Sequence, residues 1–439
     1  MSYIVFGFGK EYFSIMEVLR LGSRGPDVEL LQTALKRAGY FNGVIDGVFG
    51  AMTQRAVINF QSDYGLTVDG IAGALTWNAL NPYLTGYITR NIQAGDTFFN
   101  LARQFNTTVD AIITANPNLS PSNLFPGLKV IIPLGFNVVP TNIRFTYNLL
   151  NLCVEGLRTR YPFIKVSTIG NSILGKSIYS LAIGNGQNKV MYNASHHANE
   201  WITTTVLMHF IEQYAGIYAG LDLPMLGCIT AEMYEKSMIY FVPMVNPDGV
   251  DLVTGAISPG SSAYKNAEAM NYLGLPFPSD WKANIKGVDL NVNYPATWEI
   301  ARDIKFAQGY TMPGPRDFVG EYPLSEPESR AMADFTRLNN FSLTLSYHTQ
   351  GEVIYWRYLD FLPLMSAEIV RILSRVSGYV YEETPYGSGH AGYKDWFIRE
   401  YNRPGYTIEC GLGINPLPVS QFDRIYRDNI GILSLSALV

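Results

Sequence analysis

The sequence predicts a multidomain chain. A large α/β domain, a mixed sheet flanked by helices, follows two small modules, one all-helical and one β-α-α-β. Three observations carry this. An eight-residue pattern, Asp46-Gly-Val-Phe-Gly-Ala-Met-Thr53, returns as Asp69-Gly-Ile-Ala-Gly-Ala-Leu-Thr76 with a period of 23. A strand-helix-helix-strand pattern occupies residues 86 to 133. Beyond residue 137, short apolar runs alternate with helical stretches for some 300 residues, a plausible size for one catalytic domain.

The first module spans 17–84. Each copy of the repeat is a glycine-rich turn, with Thr53 and Thr76 expected to cap the helix that follows. Helices read from Val28, Leu31 and Leu35, and from Ala56, Val57, Phe60 and Gln61. Leu31-Gln32, Gly39-Tyr40-Phe41, Phe60-Gln61 and Thr76-Trp77 resemble the small helical peptidoglycan-binding domain. The second module spans 85–136. Tyr87 to Ile92 alternates as a strand, Gly95-Asp96-Thr97 turns into a helix over Phe98 to Phe105, a helix follows from Val109 to Ala115, and Leu128 to Ile132 closes as a strand. Its Gly95-Asp-Thr97, Ala115-Asn-Pro117, Pro126-Gly127 and Ile132-Pro133 resemble a LysM domain, which implies binding of N-acetylglucosamine-containing glycans such as peptidoglycan.

The third domain, 137–439, is organised around His197-Ala-Asn-Glu200-Trp201. Val190 to Tyr192 read as the end of a buried strand, and Thr203 to Tyr214 are apolar at helical spacing, so the His and Glu fall on the turn between. An imidazole and a carboxylate at this spacing can hold one face of a zinc ion. Buried strands are expected at Ile178 to Ile183, Val190 to Asn193, Met238 to Val245, Ser342 to Tyr347 and Tyr406 to Glu409.

Downstream, the motifs Asn246-Pro-Asp-Gly249, Gly287-Val-Asp-Leu-Asn-Val-Asn293, Ser325-Glu-Pro-Glu328, Ser346-Tyr-His348 and Thr407-Ile-Glu409 follow in the order of the M14-type zinc carboxypeptidases, which this domain resembles throughout. The resemblance implies one zinc ion held by His197, Glu200 and His348, with Glu409 as the catalytic acid/base. Two His and one Glu leave a fourth position for water, the pattern of a catalytic site. Where the family has Arg directly after a Trp, Lys282 follows Trp281 and is expected to stabilise the oxyanion as a point charge. Asn291 is expected to hydrogen-bond substrate. Tyr386, in Pro385-Tyr-Gly-Ser-Gly389, matches the family's mobile tyrosine. Among the other histidines, His209 reads as a core residue and His196 as pointing away from the ion.

Two departures bear on substrate. Position 292, an arginine that grips the C-terminal carboxylate in carboxypeptidases, is Val292, so the exopeptidase anchor is missing. Lys394, just before Asp395-Trp396, falls where the family lines the pocket beyond the scissile bond, and favours an acidic side chain there. Both features, with the wall-binding modules, resemble the bacterial γ-D-glutamyl-diaminopimelate endopeptidases of the family. The expected activity is zinc-dependent hydrolysis of the γ-D-glutamyl–meso-diaminopimelate bond in peptidoglycan stem peptides. The alternatives are a zinc metallocarboxypeptidase acting on peptide C-termini and a catalytically inactive wall-binding protein.

Composition sets outer bounds. A net charge of −5 gives no basic face for nucleic acid, and three cysteines are too few for a disulfide framework. No apolar run reaches the roughly 18 residues that span a bilayer. Residues Met1 to Glu11 lack the basic start of a secretory signal, and the ordered pattern begins just after Met16, which makes Met16 an alternative start. The expected partners are the glycan strands and stem peptides of peptidoglycan. The expected location is the cell wall or spore, with the cytoplasm left open by the lack of a visible export signal.

Overall fold

In the computed structural model the described residues are 16–220 and 227–439, with 227–229 described by their backbone alone. The Met1 start, the Met1 to Glu11 stretch and the Cys228 side chain lie outside them. The described residues form two compact units, one from residues 16–143, 148–164 and 215–220, the other from 144–147, 165–214 and 227–439.

The first unit begins with helices Pro26–Arg37, Ala51–Asp63 and Ala74–Thr85. The repeat works differently from the expectation for its threonines. Gly50 and Gly73 are the N-caps, and Thr53 and Thr76 lie inside the first turn. Both hydroxyls are turned into the core, where each accepts a hydrogen bond from a buried glutamine: Gln32 Nε2 to Thr53 and Gln61 Nε2 to Thr76, each at 3.1 Å. The same two amides donate to Asp46 Oδ1 at 2.8 Å and Asp69 Oδ1 at 2.9 Å. The repeat is therefore a glutamine-centred turn used twice. A buried amide needs all its partners satisfied, so aspartate, glycine and threonine recur together.

Strands β1 (Tyr87–Asn91) and β2 (Lys129–Pro133) pair antiparallel around helices Phe98–Gln104 and Val109–Ala115. Thr97 and Thr108 cap these helices, accepting from the Asn100 and Ala111 amides at 3.1 and 3.0 Å. Ile88, Leu101, Ile112, Val130 and Ile132 form the core of this unit of structure.

The second unit holds an eight-stranded mixed sheet in the order β3-β4-β6-β5-β7-β10-β8-β9. Its strands are β3 (Lys165–Asn171), β4 (Ser177–Gly184), β5 (Asn188–Ala194), β6 (Ser237–Val242), β7 (Leu343–His348), β8 (Val353–Tyr355), β9 (Val380–Glu382) and β10 (Gly405–Glu409). The five expected strands are all present, although the Met238 run stops at Val242, where Pro243 removes a ladder donor. β6, β5, β7 and β10 run parallel to one another in the middle of the sheet, and such strands are buried on both faces. Adjacent residues of β5 show this. Met191 joins a core with Met332, Trp396 and Phe397 on one face, while the Tyr192 hydroxyl donates to the Leu433 carbonyl at 3.0 Å on the other. Among the described residues no helix is long and apolar enough to cross a membrane.

Glu328, in the first turn of helix Pro327–Asn339, is buried with one carboxyl oxygen accepting from the Ile173 amide at 3.2 Å and the other without a partner. Burial, with Asp248 adding to it, pushes this carboxyl from 4.5 up to about 8. The folded state therefore binds a proton more tightly than the unfolded one. That contribution to stability is full below the unfolded value near 4.5 and is lost as pH rises through about 8. Denaturant titrations at pH 5 and pH 8 are expected to show a stability drop in the wild type that Glu328→Gln reduces, by an amount on the order of a few kcal/mol. Equal drops in both proteins would exclude Glu328 as the source.

Candidate active site

β5, β7 and β10 are parallel and end side by side: Ala194 pairs with Tyr347, and Glu409 pairs with His348. Sites in open α/β sheets form beyond such carboxyl ends, where strand order reverses. Here β5 leads to β6 on one side and lies against β7 on the other. The chain leaves β5 through Ser195, a non-glycine residue at φ 52°, and enters the short 3-10 turn Ala198–Glu200 before helix Ile202–Tyr218. Ser195 is held there by its amide and hydroxyl, both 3.1 Å from Thr203 Oγ1. Asn246 caps helix Pro247–Thr254 and ties the turn down, its Nδ2 donating to the His196 carbonyl at 3.1 Å and the Ala283 carbonyl at 3.0 Å. The Ala198 amide donates to the Lys282 carbonyl at 3.0 Å, so the turn and the Lys282 segment form one block.

His197, Glu200 and His348 converge with potential ligand atoms within 4.8 Å of one another. His197 Nδ1 lies 2.9 Å from Glu200 Oε1, His348 Nδ1 lies 2.9 Å from Glu200 Oε2, and the two Nδ1 atoms are 3.1 Å apart. A tetrahedral ion with bonds of about 2.0–2.1 Å spaces its ligands roughly 3.3 Å apart, so the trio fits zinc closely. The nitrogen facing away from this centre is fixed as well. His197 Nε2 lies 3.2 Å from Asp289 Oδ1, the carboxylate–histidine pairing that presents the other ring nitrogen as a lone pair. Glu200 is fixed by the Thr349 amide at 3.2 Å and by Lys282 Nζ at 3.4 Å.

The electrostatics follow from crowding three carboxylates, two imidazoles and a lysine in a buried space. Burial opposes ionisation of Glu200, yet His197 and Lys282 outweigh it and hold its carboxyl well below the usual range. Burial likewise opposes charge on His197, but Glu200 and Asp289 raise it to about 9. Burial lowers His348. Lys282 is raised despite burial, by Glu200 and Asp289. Glu409 goes the other way: burial, and then the Glu200 charge, push it up to about 8. The site thus holds an ionised Glu200 beside a carboxyl that resists ionisation, two carboxylates with different tasks.

These groups open on a cavity of about 270 Å³ whose walls include His197, Lys282, Asn291, Val292, Lys394 and Glu409. Asn291 Nδ2 lies 3.5 Å from His348 Nε2, and its Oδ1 accepts from the Tyr393 amide at 3.1 Å. Lys394 is buried, with Nζ 2.5 Å from Asp395 Oδ1 and 2.8 Å from the Arg357 carbonyl, so one of its three N–H groups remains. Tyr386 is not brought to the cavity. It is 66% exposed on a 3-10 turn, with its ring against His390, while Thr384, Pro385 and Ser388 beside it line the space. His196 points away from the trio, with Nε2 3.0 Å from the Tyr294 hydroxyl. His209 packs on Phe422 and Tyr426, and Cys410 is a buried free thiol.

Asp289 and Asn246 carry positioning roles that the motif spacing did not reveal, since both act through contacts closed only by the fold. Asp289→Ala is expected to weaken zinc binding by about 10–100-fold, read by competition with a chelator of known affinity. Unchanged affinity would show that the Asp289 contact is incidental to the metal.

The zinc carboxypeptidase family model matches residues 151–431, the peptidoglycan binding domain model matches 24–80, and the LysM domain model matches 91–133. The chain is 44% identical over 300 residues to gamma-D-glutamyl-L-diamino acid endopeptidase 1 of Lysinibacillus sphaericus, an alignment covering 68% of this chain and 74% of that protein. It is 40% identical over 92 residues to a spore cortex-lytic enzyme of Oceanobacillus iheyensis, covering 20% of this chain and 33% of that one. In fold it is similar to bovine thrombin-activatable fibrinolysis inhibitor, solved with a tick carboxypeptidase inhibitor, at a TM-score of 0.51 and 20% identity, covering 68% of this chain and 97% of the other. With its zinc-fitting trio at the carboxyl edge of the sheet, and with peptidoglycan-binding and LysM modules before it, the chain belongs to the zinc carboxypeptidase family.

Proposed function

We propose that the protein is a zinc endopeptidase that hydrolyses the γ-D-glutamyl–meso-diaminopimelate bond of peptidoglycan stem peptides, held at the wall by two binding modules over 17–84 and 85–136, with catalysis in 137–439. The observation that carries the reading is Val292. It lines the cavity and packs among Trp298, Ala301, Val319 and Ala391. A buried valine cannot grip a terminal carboxylate, so the anchor that defines a carboxypeptidase is lacking at this position. The named activity of the Lysinibacillus relative supports the same bond class.

In this reading His197, Glu200 and His348 hold the ion, and zinc when bound polarises the scissile carbonyl and acidifies a water. Glu409 takes the water's proton and delivers it to the amine of the departing diaminopimelate. Lys282, buried and cationic, faces the developing oxyanion. Asn291 positions the substrate beside His348, and the remaining N–H of Lys394 meets the far carboxylate of diaminopimelate. Tyr386 closes over bound substrate by a movement of the 385–389 turn, whose glycines permit it. The two modules raise the effective concentration of stem peptides on an insoluble mesh, which places the enzyme at the wall or spore.

The direct test incubates zinc-loaded protein with L-Ala-γ-D-Glu-meso-diaminopimelate-D-Ala and with an ordinary peptide bearing a free C-terminus, and follows products by mass spectrometry. Release of L-Ala-γ-D-Glu from the first with the second intact is expected. Trimming of the second alone would establish the carboxypeptidase alternative instead.

A further inference from the structure

The cavity wall carries a cationic cluster that the mechanism above does not use. Lys305 Nζ lies 2.6 Å from Asp317 Oδ1, and Arg316 Nε lies 2.5 Å from Asp317 Oδ2. One carboxylate between two cations leaves a surplus positive charge. Lys305 is buried, but the Arg316 side chain is 42% exposed and lines the cavity with His197 and Lys282. Arg316 spends only its Nε on Asp317, and no described residue accepts from its two Nη groups. Those form the planar fork suited to a carboxylate.

The cluster is also fixed to the site. Asp317 sits at φ 62°, a left-handed conformation rare for a non-glycine residue. Its amide donates to Asp289 Oδ2 at 3.1 Å, on the same carboxylate that meets His197. The Pro315 carbonyl accepts from the Lys282 and Ala283 amides at 2.8 and 3.0 Å. Arg316 is thus strapped on both sides to residues of the candidate centre. Its position relative to Val292 is equally telling. Val292 packs against Ala301 and Val319, and Lys305 and Arg316 lie four and three residues from these along the chain. Lys305 and Arg316 line the same cavity as Val292 and bring positive charge to it.

We infer that Arg316 is a specificity-determining residue that grips a substrate carboxylate flanking the scissile bond through its free guanidinium edge, with Lys305 and Asp317 holding it in place. The inference rests on the peptidoglycan reading, which supplies two sources of that carboxylate: the α-carboxylate of the γ-linked D-glutamyl residue, and a carboxylate of diaminopimelate.

The test compares wild type, Arg316→Gln and Arg316→Lys on three stem tetrapeptides: one with all carboxylates free, one with D-isoglutamine in place of γ-D-glutamate, and one with amidated diaminopimelate. On the free form, Arg316→Gln is expected to raise KM by about 10–100-fold with a smaller change in kcat, and Arg316→Lys is expected to fall between, keeping the charge without the fork. The difference between wild type and Arg316→Gln should vanish on one amidated substrate. Vanishing with isoglutamine assigns the glutamyl carboxylate, and vanishing with amidated diaminopimelate assigns the other. Equal loss on all three substrates, or no loss on any, overturns the inference. Zinc content and thermal melting identify a folding defect in Arg316→Gln, in which case the same comparison is read from Arg316→Lys. If wild type cleaves none of the three, the function reading itself fails, a result distinct from either variant outcome.

Discussion

Glu409→Gln is expected to lower kcat by about 10²–10⁴-fold while the protein keeps one zinc ion per chain. The side chain ends β10 in register with His348 and lines the cavity, but it is not one of the three converging ligand candidates. An amide of the same size preserves the packing and removes the group proposed to shuttle the proton. Metal analysis separates the two roles: activity lost with zinc retained assigns Glu409 to acid/base work. Zinc lost together with activity would make it part of the metal shell, and full activity would remove it from the mechanism. The raised position of this carboxyl arises from burial and from Glu200. A change at Glu200 therefore alters Glu409 as well, and the two substitutions should not add.

How much of this was legible in the sequence depends on the range of the interactions involved. The parallel strands were visible because burial on both faces writes an unbroken apolar run, as in Val190 to Tyr192. The His197–Glu200 pair was visible because three residues of chain fix its geometry. The short strands β8 and β9 are not anticipated from the sequence; β9, at the edge of the sheet, is exposed along its whole length, so no apolar pattern marks it. Thr53 and Thr76 read as caps from the sequence but are not, because the partner that turns them inward is a glutamine one helix earlier. Asp289 lay inside a motif already noted, yet its contact with His197 joins positions far apart in the chain. Lys394 was legible as a cavity residue, but its pairing with Asp395 and the Arg357 carbonyl was not. Local geometry could be read from spacing, whereas side-chain partnerships across the sheet required the fold.

His348→Ala is expected to abolish both zinc retention and hydrolysis, and EDTA is expected to do the same to the wild type, reversibly on adding zinc. Removing one of three protein ligands leaves a His–carboxylate pair, which is below the ligand number seen in catalytic zinc sites. The loss extends beyond the ion. Glu200 Oε2 would lose the His348 contact at 2.9 Å while staying buried, with Lys282, His197 and the Thr349 amide to compensate it. Glu200 should then draw Lys282 closer, and added zinc should not restore activity to the variant as it does to the EDTA-treated wild type. Equilibrium dialysis followed by assay on the stem peptide distinguishes the cases. A variant that keeps stoichiometric zinc and measurable turnover would place the metal elsewhere than the His197–Glu200–His348 centre, and a variant that loses zinc but keeps activity would remove the metal from catalysis.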